Sequence, residues 1–326
     1  MAYKEIANSK PFIINKNLGS AMVLDSQDFT QTNADGLSVV EPTQKQKYDF
    51  DRNGWILVPG ILPDNEIKQM RDFCYQLRQD PESIPEHERC TIGGPLQKLT
   101  DHPVVVGFMN EFLANPAIMS QDCYGFRMET THLLFRSVEE DIQGKFNPHK
   151  ENGLFRLPGD SHFYRCTPGK AWSGLTRVVW ELNPVEEGQG GTKFITGSHK
   201  AAYPAPDTVQ DTNCSLWDTY SCPAGSLLIF TESITHSGSP WTNQKVDRVP
   251  IFNLYNTVAS RWHTWVPHPK LLETMTAKRQ TLYREPYAGG NVVNGDFDGR
   301  TSPYLGDNLG ASVNSCLLYT SPSPRD

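Results

Sequence analysis

The stretch Leu175–Leu182, LTRVVWEL, constrains the chain most. It is β-branched, aromatic and nearly continuous in apolar character, the composition of a strand. Others surround it. Thr192–Thr196 returns after the turn Pro184–Gly191, and Gly225–Asn256 holds two more strands, Ser226–Phe230 and Arg248–Tyr255. Between those two lie a polar turn carrying His236 and a short Gly/Ser/Pro loop. Upstream, GFRMETTHLLFR from Gly125 alternates Phe126, Met128, Thr130 and His132 against Arg127, Glu129 and Thr131, which predicts a half-buried strand. Helical spacing is confined to a few places. Ile67, Met70, Phe73, Cys74 and Leu77 recur at it after Pro63-Asp64, Val104–Leu113 follows His102-Pro103 and stops at Asn115-Pro116, and Pro269–Leu282 is an amphipathic run. The pattern predicts a mainly-β domain with helices packed on the outside of the sheet.

At 326 residues and 37% apolar content, the chain has material for one large β core. A net charge of −7 and a pI near 5.7 provide no basic field for nucleic acid or anionic lipid. No run of 18 apolar residues occurs, and the opening MAYKEIANSKPFIINK lacks the apolar stretch of a secretion signal, so a soluble, cytoplasmic protein is expected. Six of the seven cysteines (Cys74, Cys90, Cys123, Cys166, Cys214, Cys222) are scattered without CxxC spacing, which reads as free thiols rather than a disulfide framework or a zinc site. The expected layout is a polar arm over 1–44 with one strand near Ala21–Leu24, a domain over 45–290, and a flexible Gly/Asn/Asp-rich segment over 291–315. The final CLLYTSPSPRD, 316–326, resembles a translated sequencing adapter and is set aside from fold reasoning. Neither GxGxxG nor P-loop spacing occurs, so nucleotide binding has no support.

Chemistry concentrates around two histidines. In Pro148-His149-Lys150-Glu151, residues two apart on an extended chain point to one side, so His149 and Glu151 face one ion while Lys150 points away. With His236 they make two imidazoles and one carboxylate with three positions open, the donor set of a non-haem Fe(II) centre. Arg248, at the start of the next strand, offers a planar, permanently charged fork to the carboxylate of a keto-acid co-substrate. His162 competes for the first-ligand position, but Tyr164 stands where its carboxylate partner should be; Asp160, two residues before it, gives a reversed D-x-H. The segment Phe155–Trp172, with Phe155, His162, Tyr164 and Arg165, is the expected substrate-lining loop. His132 reads as a core or rim residue and His199 as a turn stabiliser.

The order His-x-acid, then GGTKFITGSHK (Gly190–Lys200), then a histidine after an apolar strand and an arginine twelve residues on, resembles the phytanoyl-CoA dioxygenase family. Tyr48–Leu62, YDFDRNGWILVPGIL, resembles that family's N-terminal strand, and the similarity runs from about Tyr48 to Tyr287. The resemblance implies a double-stranded β-helix, jelly-roll or cupin-like, with flanking helices. It implies Fe(II) held by His149, Glu151 and His236, 2-oxoglutarate paired with Arg248, and Trp180 bordering that co-substrate. The implied activity is O2-dependent hydroxylation of a small or lipid-like organic molecule. Two positions depart from the pattern: Glu151 stands where the family has aspartate, and Gly238 where it often has serine. A halogenase, in which halide replaces the carboxylate, is disfavoured by Glu151. A non-catalytic jelly roll binding a small molecule or glycan is the alternative outside enzymes.

Overall fold

The computed structural model describes residues 29–115, 119–139, 146–150 and 163–286, with the backbone of two short strand pairs, β1 (Lys10–Ile14) with β2 (Ala21–Leu24) and β12 (Val292–Val293) with β13 (Asp296–Phe297). The adapter-like tail lies outside the described residues. Between the pairs come β3 (Trp55–Val58), β4 (Phe126–Leu133), β5 (Tyr164–Thr167), β6 (Lys170–Ser173), β7 (Leu175–Glu181), β8 (Gly191–Phe194), β9 (Ser226–Thr231), β10 (His236–Ser239) and β11 (Pro250–Thr257). The helices are α1 (Gln44–Asn53), α2 (Asp64–Gln79), α3 (Pro103–Phe112), α4 (Pro269–Glu273) and α5 (Ala277–Gln280).

The near-continuous apolar strand is the centre of the molecule. Five antiparallel strands run in the order β3-β9-β7-β11-β4, and every residue of β7 is buried. Burial on both faces explains why its sequence does not alternate. On one face Val178, Trp180, Leu227, Ile229 and Ile251 pack against Ile67, Met70 and Cys74 of α2 and Val105, Phe108 and Phe112 of α3. On the other, Val179, Leu228, Phe230 and Phe252 meet Phe194, Tyr220 and Trp241 beneath the antiparallel pair β8–β10. The fold is thus a mainly antiparallel β structure with helices against one face. Six described cysteines are free thiols, as expected.

Three local readings are corrected. Tyr48–Asn53 is the end of α1, not a strand: Thr43 and Gln46 form a capping box, and the helix stops at Gly54, whose φ of 83° lies in the left-handed region. A Cβ at Gly54 would stand 2.6 Å from His199 Nδ1, so the close approach as well as the backbone calls for glycine there. The run over 269–282 divides into α4 and α5 because the Thr276 hydroxyl accepts from Arg279 N and starts a new helix. In β4 the expected alternation fails at a register shift opposite Leu254/Tyr255. The bulge turns Phe126 and Met128 toward the helical core, while His132 remains on the opposite face, stacked on Phe252 with ring centroids 4.8 Å apart.

Beside that bulge Glu129 is fully buried, paired with Arg127 and accepting hydrogen bonds from Asn256 Nδ2 (2.9 Å), Trp262 N (2.6 Å) and His263 N. Burial pushes its pKa up, but the hydrogen bonds from His263 and Asn256 and the charge of Arg127 outweigh it and hold the carboxyl at about 2. Its folded pKa lies below the unfolded one, so its contribution is complete above pH ~4.3 and is lost as pH falls toward ~2. Urea unfolding of Glu129→Gln between pH 7 and 3 should therefore show a flatter acid limb than the parent, the parent losing roughly 2 kcal/mol more over that range. Parallel limbs would mean that Glu129 does not titrate low.

Candidate metal centre

The face of the sheet under β8–β10 carries the polar groups. Register places Arg177, Val179 and Glu181 of β7 opposite Leu254, Phe252 and Pro250 of β11, and opposite Phe230, Leu228 and Ser226 of β9. Residues facing one another across a ladder share a face, so one strip runs from Glu181 at one end to Arg177 at the other. Phe194 covers its middle, packed on Phe230 at 5.1 Å and stacked on Trp55 at 5.1 Å.

His236 opens β10 on this strip, buried with its ring against Phe230 at 4.8 Å. The sequence reading placed it in a polar turn; the turn is Glu232–Thr235, and the histidine already belongs to a strand. His149 reaches it from the other side. The two residues exchange both backbone hydrogen bonds, each 3.0 Å, and their rings lie 4.3 Å apart between centroids. Each Nδ1 points at a main-chain carbonyl, His236 at Ile234 O (2.9 Å) and His149 at Asn147 O (2.7 Å). A carbonyl can only accept, so each Nδ1 carries the proton and each Nε2 keeps its lone pair for a ligand. This is how metal-ligating histidines are oriented. Lys150 turns away, as its position predicts, and donates to Ser198 O at 2.7 Å.

A further carboxylate, Glu232, stands at the pair. It is fully buried, accepts from Arg177 Nε at 2.5 Å, and brings Oε2 to 3.7 Å from His236 Nε2. That Oε2, like Arg177 Nη1, has no hydrogen-bond partner among the described residues. A buried carboxylate oxygen without a donor is costly and is relieved by a cation at the histidines. The residues present therefore fit a divalent metal. Sequence reasoning missed Glu232, although an acid four residues before the histidine was the available signal. Among the described residues no three His, Cys, Asp or Glu side chains form a metal cluster; the expected third ligand, Glu151, lies outside the described residues, as do Phe155, Asp160 and His162.

The other expected residues divide. Arg248 lies on the strip, at its Glu181 end, fully buried. Its Nη2 donates to Glu181 Oε1 at 2.5 Å and to Tyr220 Oη at 3.0 Å, and its Nε is 3.2 and 3.3 Å from the Glu181 oxygens. Burial alone would lower the guanidinium pKa; the Glu181 carboxylate and Tyr220 raise it instead. The fork expected to meet a co-substrate is thus already engaged by a protein carboxylate. Trp180 is on the opposite face, against the helical layer and edge-on to His102 at 5.1 Å, so the structure does not bring it to this strip. Tyr164 is also turned elsewhere: its hydroxyl donates to Asp51 at 2.8 Å and its ring meets His199, which itself donates to Asp51 O and ties α1 to the turn after β8. Arg165 and Trp172, on a hairpin where a loop was expected, line an apolar cleft with Phe112, Leu113, Phe163 and Thr257. His132 is committed elsewhere, its ring stacked on Phe252 with centroids 4.8 Å apart; burial, then the charges of Arg177 and His263, lower its pKa to about 3.

A sequence model of the phytanoyl-CoA dioxygenase (PhyH) family matches residues 50–249, more than half of the chain. No curated protein matches. Among solved structures, HygX from Streptomyces hygroscopicus with iron bound is similar at 17% identity and a TM-score of 0.52, over 69% of this chain and 90% of that one. HygX with nickel and 2-oxoglutarate bound gives 17% and 0.54, over 68% and 90%, and the same protein with hygromycin B also bound gives 17% and 0.53, over 68% and 90%. At this identity the likeness is one of fold.

Proposed function

The chain belongs to the phytanoyl-CoA dioxygenase family and is an Fe(II)- and 2-oxoglutarate-dependent dioxygenase; we propose that its iron is held by His149, Glu151 and His236 within a double-stranded β-helix of jelly-roll type. The observation that carries this assignment is the histidine pair: two rings 4.3 Å apart, each with Nδ1 committed to a carbonyl and Nε2 left to ligate. The fold relative HygX, seen with iron and with nickel and 2-oxoglutarate, supports the same donor chemistry here. Bound iron and 2-oxoglutarate supply oxidative decarboxylation coupled to oxidation of a C–H bond by O2.

The protein's own groups do the rest. The two backbone hydrogen bonds between His149 and His236 fix the ligand spacing, Phe230 and Phe194 exclude water from one side, and the Arg248 corner receives the far end of the co-substrate. The substrate is a small or lipid-like organic molecule, entering along the cleft of Phe163, Trp172 and Arg165.

Anaerobic Fe(II) with 2-oxoglutarate should give a weak visible charge-transfer band, and aerobic turnover with substrate should release succinate. Glu151→Ala should weaken Fe(II) binding, and Glu151→Asp should keep part of the activity. Parent-like iron affinity in Glu151→Ala would remove Glu151 from the ligand set, and absence of the band in the parent chain would sink the reading.

A further inference from the structure

We propose that Arg177 is a specificity-determining residue for the substrate: it donates to an uncharged oxygen of a ketone, amide or hydroxyl group carried near the carbon that is oxidised. The proposal rests on the dioxygenase reading above and narrows its substrate to molecules bearing such an oxygen.

The first observation is place. Arg177 stands at the end of the strip away from Glu181 and Arg248. Its cross-strand neighbours are Phe230 of β9 and Leu254 of β11, and Leu254 in turn faces Thr130 of β4. Such neighbours lie side by side on one face, so Arg177 rises next to the ring that packs on His236 at 4.8 Å. The adjoining row is Leu228, Val179, Phe252 and His132. In these two rows, apolar but for Thr130 and the His132 ring, Arg177 carries the one permanent charge. The cleft of Phe163 and Trp172 includes Ser173 and Gly174, the two residues before β7, and so lies at the Arg177 end of that strand.

The second is how the guanidinium is bonded. Arg177 is 8% exposed, and its Nε donates to Glu232 Oε1 at 2.5 Å, which commits one edge of the fork. Its Nη1 is closed to solvent and has no hydrogen-bond partner among the described residues. A buried donor left unpaired is costly, and a native fold keeps one where something else completes it. Burial first, and then the charge of Arg177, lower the pKa of His132, so the guanidinium reaches along the strip toward β4.

The third is charge. Glu232 balances Arg177 and brings its other oxygen to 3.7 Å from His236 Nε2. The free donor therefore belongs to an ion pair that is already neutral. An ionised group brought to it would add an uncompensated charge in a closed place, whereas an uncharged oxygen satisfies Nη1 without one. A pure hydrocarbon would leave the donor unpaired, so the site discriminates against it. One carboxylate spans the distance from this guanidinium to the ligating nitrogen of His236, so an oxygen held by Arg177 keeps its neighbouring C–H bonds beside the metal.

The test measures binding rather than turnover, with Mn(II) as a redox-inert metal and 2-oxoglutarate bound. The probes are acetophenone, cumene and benzoate, which share one branched phenyl skeleton and carry a ketone, no oxygen and a carboxylate. Relaxation of their protons by Mn(II) gives affinity next to the metal. The parent should take acetophenone more tightly than either of the others. Arg177→Lys keeps a cation for Glu232 but lacks the second arm of the fork, and should weaken acetophenone roughly 10-fold or more while leaving cumene, 2-oxoglutarate and Mn(II) unchanged. Equal effects on acetophenone and cumene would overturn the proposal. Should Arg177→Lys not fold, the parent decides: cumene bound as tightly as acetophenone, benzoate bound most tightly, or none of the three bound would each overturn it, with the dioxygenase reading intact. If the parent with Mn(II) does not bind 2-oxoglutarate, both fall together.

Discussion

His236→Ala should abolish metal binding and leave the domain folded. Ligand loss should cost more than about 100-fold in Fe(II) affinity, because even the outer-shell partners of ligating histidines carry about 10–100-fold. The imidazole sits at the start of a four-residue strand whose pairing with β8 and with His149 runs through main-chain atoms, so the backbone ladder does not depend on the ring. Anaerobic Fe(II) titration followed by thermal unfolding checks both halves. His132→Ala is the control: that ring lies on the same strip, stacked on Phe252, and its removal should leave metal affinity unchanged. Parent-like affinity in His236→Ala would dismantle the centre proposed here.

Glu181→Ala should be the most destabilising single change in the corner, by about 3–5 kcal/mol, since it strands the Arg248 guanidinium in a fully buried place. Tyr220, which donates to Glu181 at 2.6 Å, and Arg248 Nε would both lose their acceptor. Replacing the pair together, Glu181→Leu with Arg248→Met, should restore most of the loss, because a hydrophobic pair of similar volume avoids the uncompensated charge. Denaturant midpoints of the three variants decide it. A single change no worse than the double would mean that the corner is wet.

Where local signals were strong, the sequence could be read. α2 and α3 follow their apolar spacing, and β7, β9 and β11 follow their β-branched runs. α1 has a sequence signal in the capping pair Thr43-x-x-Gln46, which the reading of Tyr48–Leu62 as a strand entry left unused. Trp180 shows the limit of a strand buried on both sides: with no alternation in size or polarity between Val178, Val179 and Trp180, neither face is marked. Only Arg177 and Glu181, two charges at even spacing in an apolar run, label the inner face, and they set Trp180 outside it. Of the candidate centre, the meeting of His149 with His236 was legible from the donor set of the His-x-acid pair with a downstream histidine and from the family resemblance, although His149 itself reads as part of a loop. Glu232 was not, since a buried acid in a turn looks like an ordinary surface residue until the backbone brings it in.

The backbone exchange between His149 and His236 also bears on how the protein comes together. The two residues are far apart in sequence, so closing that bridge carries a loop-closure entropy that local strand pairing does not. A metal held by both histidines favours only the chain in which the bridge is closed, and stabilises it in proportion to the logarithm of metal concentration over its dissociation constant. With the proposed histidine ligands, metal supply is expected to act as a fastener on the closed bridge. Chelation should release 146–150 from β10 and raise amide exchange there first, while the five-stranded sheet keeps its protection.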